Sequence, residues 1–268
     1  MGINDRMISL ETERVTVFQI TEQQESEMQD IVAREFPLTI IFNKEELVTL
    51  LCTPTKLKYL AIGYLASEGM LKDKKDIKSI ILKQEEGVIR LETKGMGYAR
   101  SEVRFIASGG GKMMSFYSTS DSANHPQIES MTKIVTSQIF ELMMDFQERS
   151  KIYKITGGVH SAALSDGNRL LLFSEDIGRH NAIDKIFGEC LWKDIPTSDK
   201  VILTTGRVSL EILLKVAKRD IPIIISKSAP TNMAVKAASE MGITLIGFVR
   251  GRRMSIYTHS DRIRAKRY

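Results

Sequence analysis

The chain has 268 residues, which at roughly 150 residues per domain gives a prior of about two domains with length enough to bury a core. Hydrophobic residues at 43% and charged residues at 26% are the balance of a globular protein and exclude disordered, collagen-like and fibrous classes. The net charge is +5, yet residues 249–268 alone carry +6; cations gathered at one end argue for a local anion site or a solvated tail rather than a general nucleic-acid surface.

Along the chain, TERVTVFQI reads as a strand and the acidic TEQQESEMQD after it as a solvated connection. EFPLTIIFN at 35–43 has strand character and ends in a turn at Asn43-Lys44. Between Lys56 and Gly69, Leu57, Leu60, Ala61, Tyr64 and Leu65 recur at helical spacing, with Thr53 or Thr55 placed to cap the helix and Gly69 to end it. DIKSIILK, GVIRLETK and VRFIAS are further strand candidates, the last running into Gly109-Gly110-Gly111. Residues 1–120 are thus expected to form a small β-rich domain with one helix.

After the polar loop SFYSTSDSANHPQ, the stripe Ile128, Met131, Val135, Ile139, Leu142, Met143 and Phe146 predicts a helix over 128–149. Strands and helices then alternate. Strands at 159–164 and 169–173 meet at the turn Ser165-Asp166-Gly167-Asn168, and a helix spans 181–192. Strands at 201–205, 221–226 and 243–249 enclose helices at 209–219 and 231–241, and a short strand covers 254–257. The pattern predicts a layered α/β domain over 121–268, making the whole chain α+β.

No apolar run approaches the roughly 20 residues that cross a bilayer, and MGINDRMISLETER has no apolar export segment, so a cytoplasmic location without membrane attachment is expected. Arg6 stands where N-myristoylation wants Ser or Thr. Cys52 and Cys190 are the only cysteines and lack C-x-x-C spacing, which excludes a disulfide framework and a cysteine-based zinc site. His125, His160, His180 and His259 show no metal-binding spacing either, so no metal ligands are assigned.

In open α/β sheets, ligands bind beyond the carboxyl ends of the strands. Those positions here hold SEDIGRHN, GRVS, SKSAPTN and RGRR, each with a cation and three of them with hydroxyls, beside helix starts that favour anions. They point to an anionic, phosphate-bearing ligand, while Ser209, Thr231 and Asn232 also suit plain helix capping. In EDIGRHN, Asp176 can orient His180 for acid-base work, or the acids can simply favour the helix dipole. SGGGKMMS at 108–115 lacks the spacing of a phosphate-binding P-loop.

The segments TGGVHSAAL, EDIGRHNAIDK, TTGRVSLEILLKVAK, SKSAPTNMAVKAASEMGITLIGFVRGRRMSIYTH, FPLTI and LCTPTKLKYLAIGYLASEG together resemble the FdhD family, accessory proteins of formate dehydrogenase maturation. The resemblance covers residues 35–260 and implies a three-layer C-terminal domain like that of cytidine deaminases, without their zinc ligands. It also implies a cytoplasmic homodimer that binds the molybdenum cofactor as bis-molybdopterin guanine dinucleotide, with guanine nucleotide as a surrogate ligand. The implied partners are a cysteine desulfurase, which supplies sulfur as a persulfide, and the formate dehydrogenase apoenzyme; nucleic acid is not among them. The family's persulfide loop corresponds to Ser108, Gly109, Gly110, Gly111 and Lys112, where this chain has no cysteine. Sulfurtransferase chemistry is therefore unassigned, and a non-catalytic cofactor carrier stands as the alternative. The cofactor-contacting segment corresponds to Phe248, Val249, Arg250, Gly251, Arg252 and Arg253. Thr205, Gly206, Arg207, Ser226, Lys227, Ser228 and Thr231 are expected in the same crevice from their place at the strand ends. Cys52 is expected to pack rather than carry sulfur.

Overall fold

The structure is a computed structural model that describes residues 10–94, 105–106, 114–115 and 127–265. Strands β1 (Thr12–Ile20) and β2 (Glu25–Ala33) form an antiparallel ribbon in register from Thr12↔Ala33 to Ile20↔Glu25. Only Thr21–Gln24 turns, with the Thr21 hydroxyl accepting the Gln23 and Gln24 amides, so most of the expected connection TEQQESEMQD is strand. Both faces of this strand are largely exposed, so no apolar alternation marked it.

Next, β3 (Phe36–Phe42) and β4 (Glu45–Cys52) pair around Asn43 and Lys44, whose φ of 49° and 73° give the mirror-image turn that suits a two-residue hairpin. Helix α1 (Leu57–Ser67) carries the chain to β5 (Ile77–Lys83) and β6 (Val88–Thr93), completing a sheet of order β4-β3-β6-β5. Its inner face, with Leu38, Ile40, Leu50, Cys52, Ile89 and Leu91, packs on α1. Backbone pairing of β7 (Phe105–Ile106) with β8 (Met114–Ser115) follows; Ser108–Lys112 and the expected boundary near residue 120 lie outside the described residues.

The expected helix over 128–149 begins instead at Thr136. Strand β9 (Ile134–Val135) precedes α2 (Thr136–Arg149), and a second short helix, α3 (Lys151–Thr156), follows. Tertiary bonds override the periodicity: the Ile128 amide donates to Met241 O at 2.9 Å, and its carbonyl accepts from the Arg262 guanidinium at 3.1 Å. The Gln138 side chain then caps the Val135 amide, and Met131, part of the expected stripe, is 90% exposed.

The remaining elements are β10 (His160–Ser165), β11 (Leu170–Asp176), α4 (Arg179–Trp192), β12 (Val201–Thr204), α5 (Leu210–Ala217), β13 (Ile223–Ser226), α6 (Asn232–Glu240), β14 (Thr244–Arg250), β15 (Arg253–Ile256) and β16 (Ile263–Arg264). They build a sheet of order β11-β10-β12-β13-β14-β15, in which β12, β13 and β14 run parallel. Alternate residues point to opposite faces: Ala162, Ile202, Ile224 and Leu245 meet α4, α5 and α6, while Ala163, Leu203, Ile225 and Ile246 meet α2. This is the expected three-layer arrangement, and β16 pairs with β9 to close it behind α2. Among the described residues no helix is long and apolar enough to cross a membrane.

The two sheets are joined through α1 and α4. A Cβ on Gly63 would come within 1.8 Å of Asp184 O, and one on Gly188 within 1.9 Å of Tyr59 O, so these helices approach as only glycine permits. Buried ions reinforce the contact. Lys185 pairs with Asp176 at 2.7 Å and donates to the Thr53 hydroxyl at 2.7 Å, while Lys215 pairs with Asp184 at 2.6 Å and Asp184 accepts from Ser67 at 2.6 Å. Burial pushes the Lys215 ammonium pKa down, but Asp184, Glu68 and Glu211 more than reverse this and leave it raised. Its contribution to stability is present in full below the ordinary ammonium range and is lost as pH rises through the elevated value.

Replacing Lys215 by Met leaves Asp184 buried and uncompensated and is expected to cost about 3–5 kcal/mol of unfolding free energy. Adding Asp184→Asn should recover most of that loss. Denaturant unfolding checks this, and an undiminished loss in the double variant would contradict it.

Candidate functional site

The carboxyl ends of β12, β13 and β14 open on one rim, where β10 begins and β11 ends because both pair antiparallel in this part of the sheet. The loop after β12 carries Thr205, Gly206 and Arg207, and the loop after β13 carries Lys227 and Ser228. The two loops are sewn together. Ser226 Oγ donates to Gly206 O at 2.8 Å and accepts the Ser228 amide at 2.9 Å, and Ser228 Oγ donates to Thr205 O at 2.8 Å. Thr205 Oγ1 accepts the Ser161 amide at 2.9 Å, and Thr231 caps α6 by accepting the Ala234 amide.

These bonds separate the expected cofactor-contacting residues by role. Ser226 is fully buried and shapes the loops, Thr205, Ser228 and Thr231 use their hydroxyls to hold the rim, and Val249 faces the core beneath α2. Arg207, Arg250, Arg252 and Arg253 are exposed, and Lys227 is half-buried above the Tyr153 ring. Residues 244–260 contain no acidic residue, so the β14–β15 ribbon presents three guanidinium groups with no carboxylate of its own.

A β-bulge aims this ribbon. The register shifts between Gly247 and Arg250, and Phe248 takes φ of 53°, a left-handed conformation costly for a residue with a side chain. A Cβ on Gly247 would meet the Tyr257 ring at 3.0 Å and Ser228 O at 3.1 Å, so glycine lets the chain pass these neighbours without displacing them. Phe248 is thereby thrown outward, 39% exposed, with the Arg250 guanidinium 5.9 Å from its ring centre. Gly251, at φ of 57°, makes the hairpin turn that returns the chain through Arg252 to Arg253.

The expected pairing of Asp176 with His180 does not form. Asp176 is fully buried against Lys185, and its oxygens also accept the Thr53 and Gly178 amides and the Asn181 side chain. His180 turns the other way, with Nε2 3.2 Å from Glu211 Oε2. Sequence spacing placed the two residues on one loop, but the buried lysine of α4, nine residues after Asp176, outcompetes the imidazole for the carboxylate.

Two further rim residues escaped the assigned set. Arg179 opens α4, and the loop backbone at Gly206 lies so close that a Cβ there would sit 2.9 Å from Arg179 Cβ. His160 opens β10, with Nδ1 3.4 Å from the Thr205 hydroxyl. Burial, then Arg179 and His180, push the His160 pKa down, and burial followed by Arg207 pushes the Arg179 pKa down. A glycine after β12 and an arginine at the start of α4 were the available signals, and only their contact in space joins them.

Both cysteines are buried. Burial pushes each thiol pKa up to about 12, and Cys52 donates to Phe36 O at 3.4 Å beneath the first sheet. Neither is placed to form a thiolate near neutral pH.

The model of the FdhD/NarQ family matches residues 33–264 of this chain. The chain is 43% identical over 237 residues to the sulfur carrier protein FdhD of Staphylococcus aureus strain MRSA252, covering 87% of this chain and 89% of that protein. It is 41% identical over 253 residues to the protein of the same name from Staphylococcus haemolyticus strain JCSC1435, covering 93% and 96%. A crystal structure described as that of a candidate formate dehydrogenase accessory protein from Desulfotalea psychrophila superposes with a TM-score of 0.80 at 24% identity. That match covers 94% of this chain and 99% of the other, and shows a shared fold.

A thiol-reactive chromophore at mildly alkaline pH is expected to label neither cysteine of the native chain and both after denaturation. Rapid labelling of Cys52 in the native protein would contradict its placement.

Proposed function

The chain belongs to the FdhD/NarQ family, and on that footing we propose that it serves the maturation of formate dehydrogenase by binding the molybdenum cofactor as cargo. The cargo is the bis-molybdopterin guanine dinucleotide form, whose pyrophosphate groups suit bidentate contact with guanidinium groups. The single observation carrying this reading is the acid-free ribbon that carries Arg250, Arg252 and Arg253 beyond a strained, outward Phe248, with the Arg250 guanidinium beside its ring. The arginines are assigned to pyrophosphate, the exposed Phe248 ring to the guanine face, and Lys227 to the negative field between them. In this reading the protein works in the cytoplasm as a homodimer and meets a cysteine desulfurase and the formate dehydrogenase apoenzyme.

Sulfur carriage needs a thiolate that a donor and an acceptor can both reach. Glycines occupy 109–111, where the family carries its persulfide, and Cys52 and Cys190 are buried with elevated pKa values. That observation favours a second reading for this chain, a carrier that binds and presents the cofactor without itself holding the sulfur.

GDP is the surrogate for testing the binding half. Replacing both Arg250 and Arg253 by Ala should weaken GDP at least about tenfold, since each charge-assisted bond contributes about 1.5–3 kcal/mol. Calorimetry giving unchanged affinity would sink the assignment. The sulfur half is tested in cells lacking their own accessory protein. Restoration of formate dehydrogenase activity by Gly109→Cys or Gly110→Cys but not by the unaltered chain supports a scaffold without its sulfur-bearing atom. Full restoration by the unaltered chain, abolished by Cys52→Ala, would overturn the carrier reading.

A further inference from the structure

In the sheet of order β4-β3-β6-β5, strand β5 is the outer strand, and no strand pairs with its free side among the described residues. Such an edge offers a row of backbone amides and carbonyls to any extended chain that reaches it. Beside β5 lies a cleft of about 430 Å³, lined by the apolar Ile77, Ile80 and Trp192 and by Lys74, Lys75 and Lys78. Trp192 closes α4, the helix whose first residue, Arg179, borders the rim. The length of that helix, about 20 Å, therefore separates the cleft from the rim. Further along β5, Ile81 and Leu82 stay exposed to solvent.

The cleft gathers more cations than its acids offset. Asp73 accepts the Lys75 amide at 2.8 Å and Asp76 accepts the Asp73 amide at 3.3 Å, so both carboxylates cap the short turn that leads into β5. Lys74 pairs with Asp194 and donates to Trp192 O at 3.3 Å, and Lys78 pairs with Glu92 at 3.5 Å. Each of these ion pairs has one side chain 66% exposed, where water screens the attraction. Lys75 forms no ion pair among the described residues, and the Lys58 ammonium sits 3.1 Å from the Trp192 ring centre. Lysines on an edge strand guard it against unwanted pairing, and here they also select what can pair. They repel the same basic edge of a second copy. Residues 95–126 of this chain are no better suited, with Arg100, Arg104 and Lys112 against Glu102 and Asp121. The complement of this edge is an acidic segment from another protein.

We propose that the β5 edge and its cleft form a docking site for an extended acidic segment of a partner protein, which adds a strand to the first sheet and sets its carboxylates against Lys74, Lys75 and Lys78. In this mode of recognition, backbone pairing supplies affinity and the side-chain surroundings supply selectivity. Ile77, Ile80 and Trp192, which pack at the margin of the first sheet's core, offer apolar contact to the inner face of the added strand. The site does not depend on the β14–β15 ribbon being a nucleotide site.

The probe is a fluorescent peptide of alternating glutamate and valine, about ten residues long, beside lysine-valine and glutamate-proline peptides of the same length. Fluorescence anisotropy is expected to show the glutamate-valine peptide binding at least about tenfold more tightly than either control. The lysine peptide fails by charge, and the proline peptide because alternate residues have no amide to donate. Lys75→Glu combined with Lys78→Glu should weaken the glutamate-valine peptide at least about tenfold with the thermal midpoint unchanged. Should that reversal unfold the chain, Lys75→Gln combined with Lys78→Gln gives the same reading with a loss of at least about threefold. Equal affinity for the glutamate-proline peptide overturns strand addition. Absence of binding to the glutamate-valine peptide, or binding that survives the lysine substitutions, overturns the site. A single-stranded DNA oligonucleotide that binds as tightly and is lost in the same variants overturns the assignment to a protein partner.

Discussion

The ammonium of Lys185, fully buried within α4, meets the carboxylate of Asp176 at the end of β11, and the placement of the whole rim depends on that pair. Asp176 uses its other oxygen to hold the Gly178 amide and the Asn181 side chain, which fixes the point where α4 begins. Lys185 and Asp176 also grip Thr53, tying the first sheet to the end of β11. Two charges taken out of water are costly, but here every polar atom of the ammonium is engaged by Asp176, Thr53 and Glu175 O. Removing either partner would strand the other, so the start of α4 and the approach of α1 are set together. The glycines at 63 and 188 allow that approach, and the ion pairs specify its register.

From this fixed start, the rim is assembled by hydroxyls rather than by its cations. Ser226 and Ser228 bind the β12 and β13 loops to each other, and Thr205 binds β10, so the arginines and Lys227 are carried on a braced frame. On the β14–β15 ribbon the left-handed strain falls on Phe248, where a bulge spends conformational energy to expose an aromatic ring and aim the following arginines. The same chain whose rim is proposed to bind an anionic ligand shuts both of its thiols into apolar packing. In the proposed reading, binding falls to the cationic rim, and neither buried cysteine offers an accessible thiolate for sulfur chemistry.

Much of the second sheet was legible because its signals are local. Ser209 and Thr231 cap α5 and α6 as their sequence positions suggest, and the alternating apolar runs of β12, β13 and β14 lie where strand chemistry puts them. Elements whose stability comes from distant partners were not legible. β2 has exposed residues on both faces, and the start of α2 is displaced by bonds from Met241 and Arg262 that no window of sequence contains. At the site, the cationic ribbon and rim loops were readable from strand ends and glycines. The division between hydroxyls that brace and cations that face outward was not, since it depends on which oxygen each loop amide finds. The choice of Lys185 over His180 as partner of Asp176 was equally hidden, because a buried lysine looks in sequence like any surface lysine of a helix.

The most direct measurement is the intact mass of the unaltered chain, under non-reducing conditions, after incubation with a cysteine desulfurase and free cysteine, beside Gly110→Cys as the reference. The account predicts no added sulfur on the unaltered chain and one added sulfur atom on the cysteine variant, with both proteins binding GDP alike. A sulfur adduct on the unaltered chain, mapped to Cys52 or Cys190, would contradict the separation of binding from sulfur chemistry.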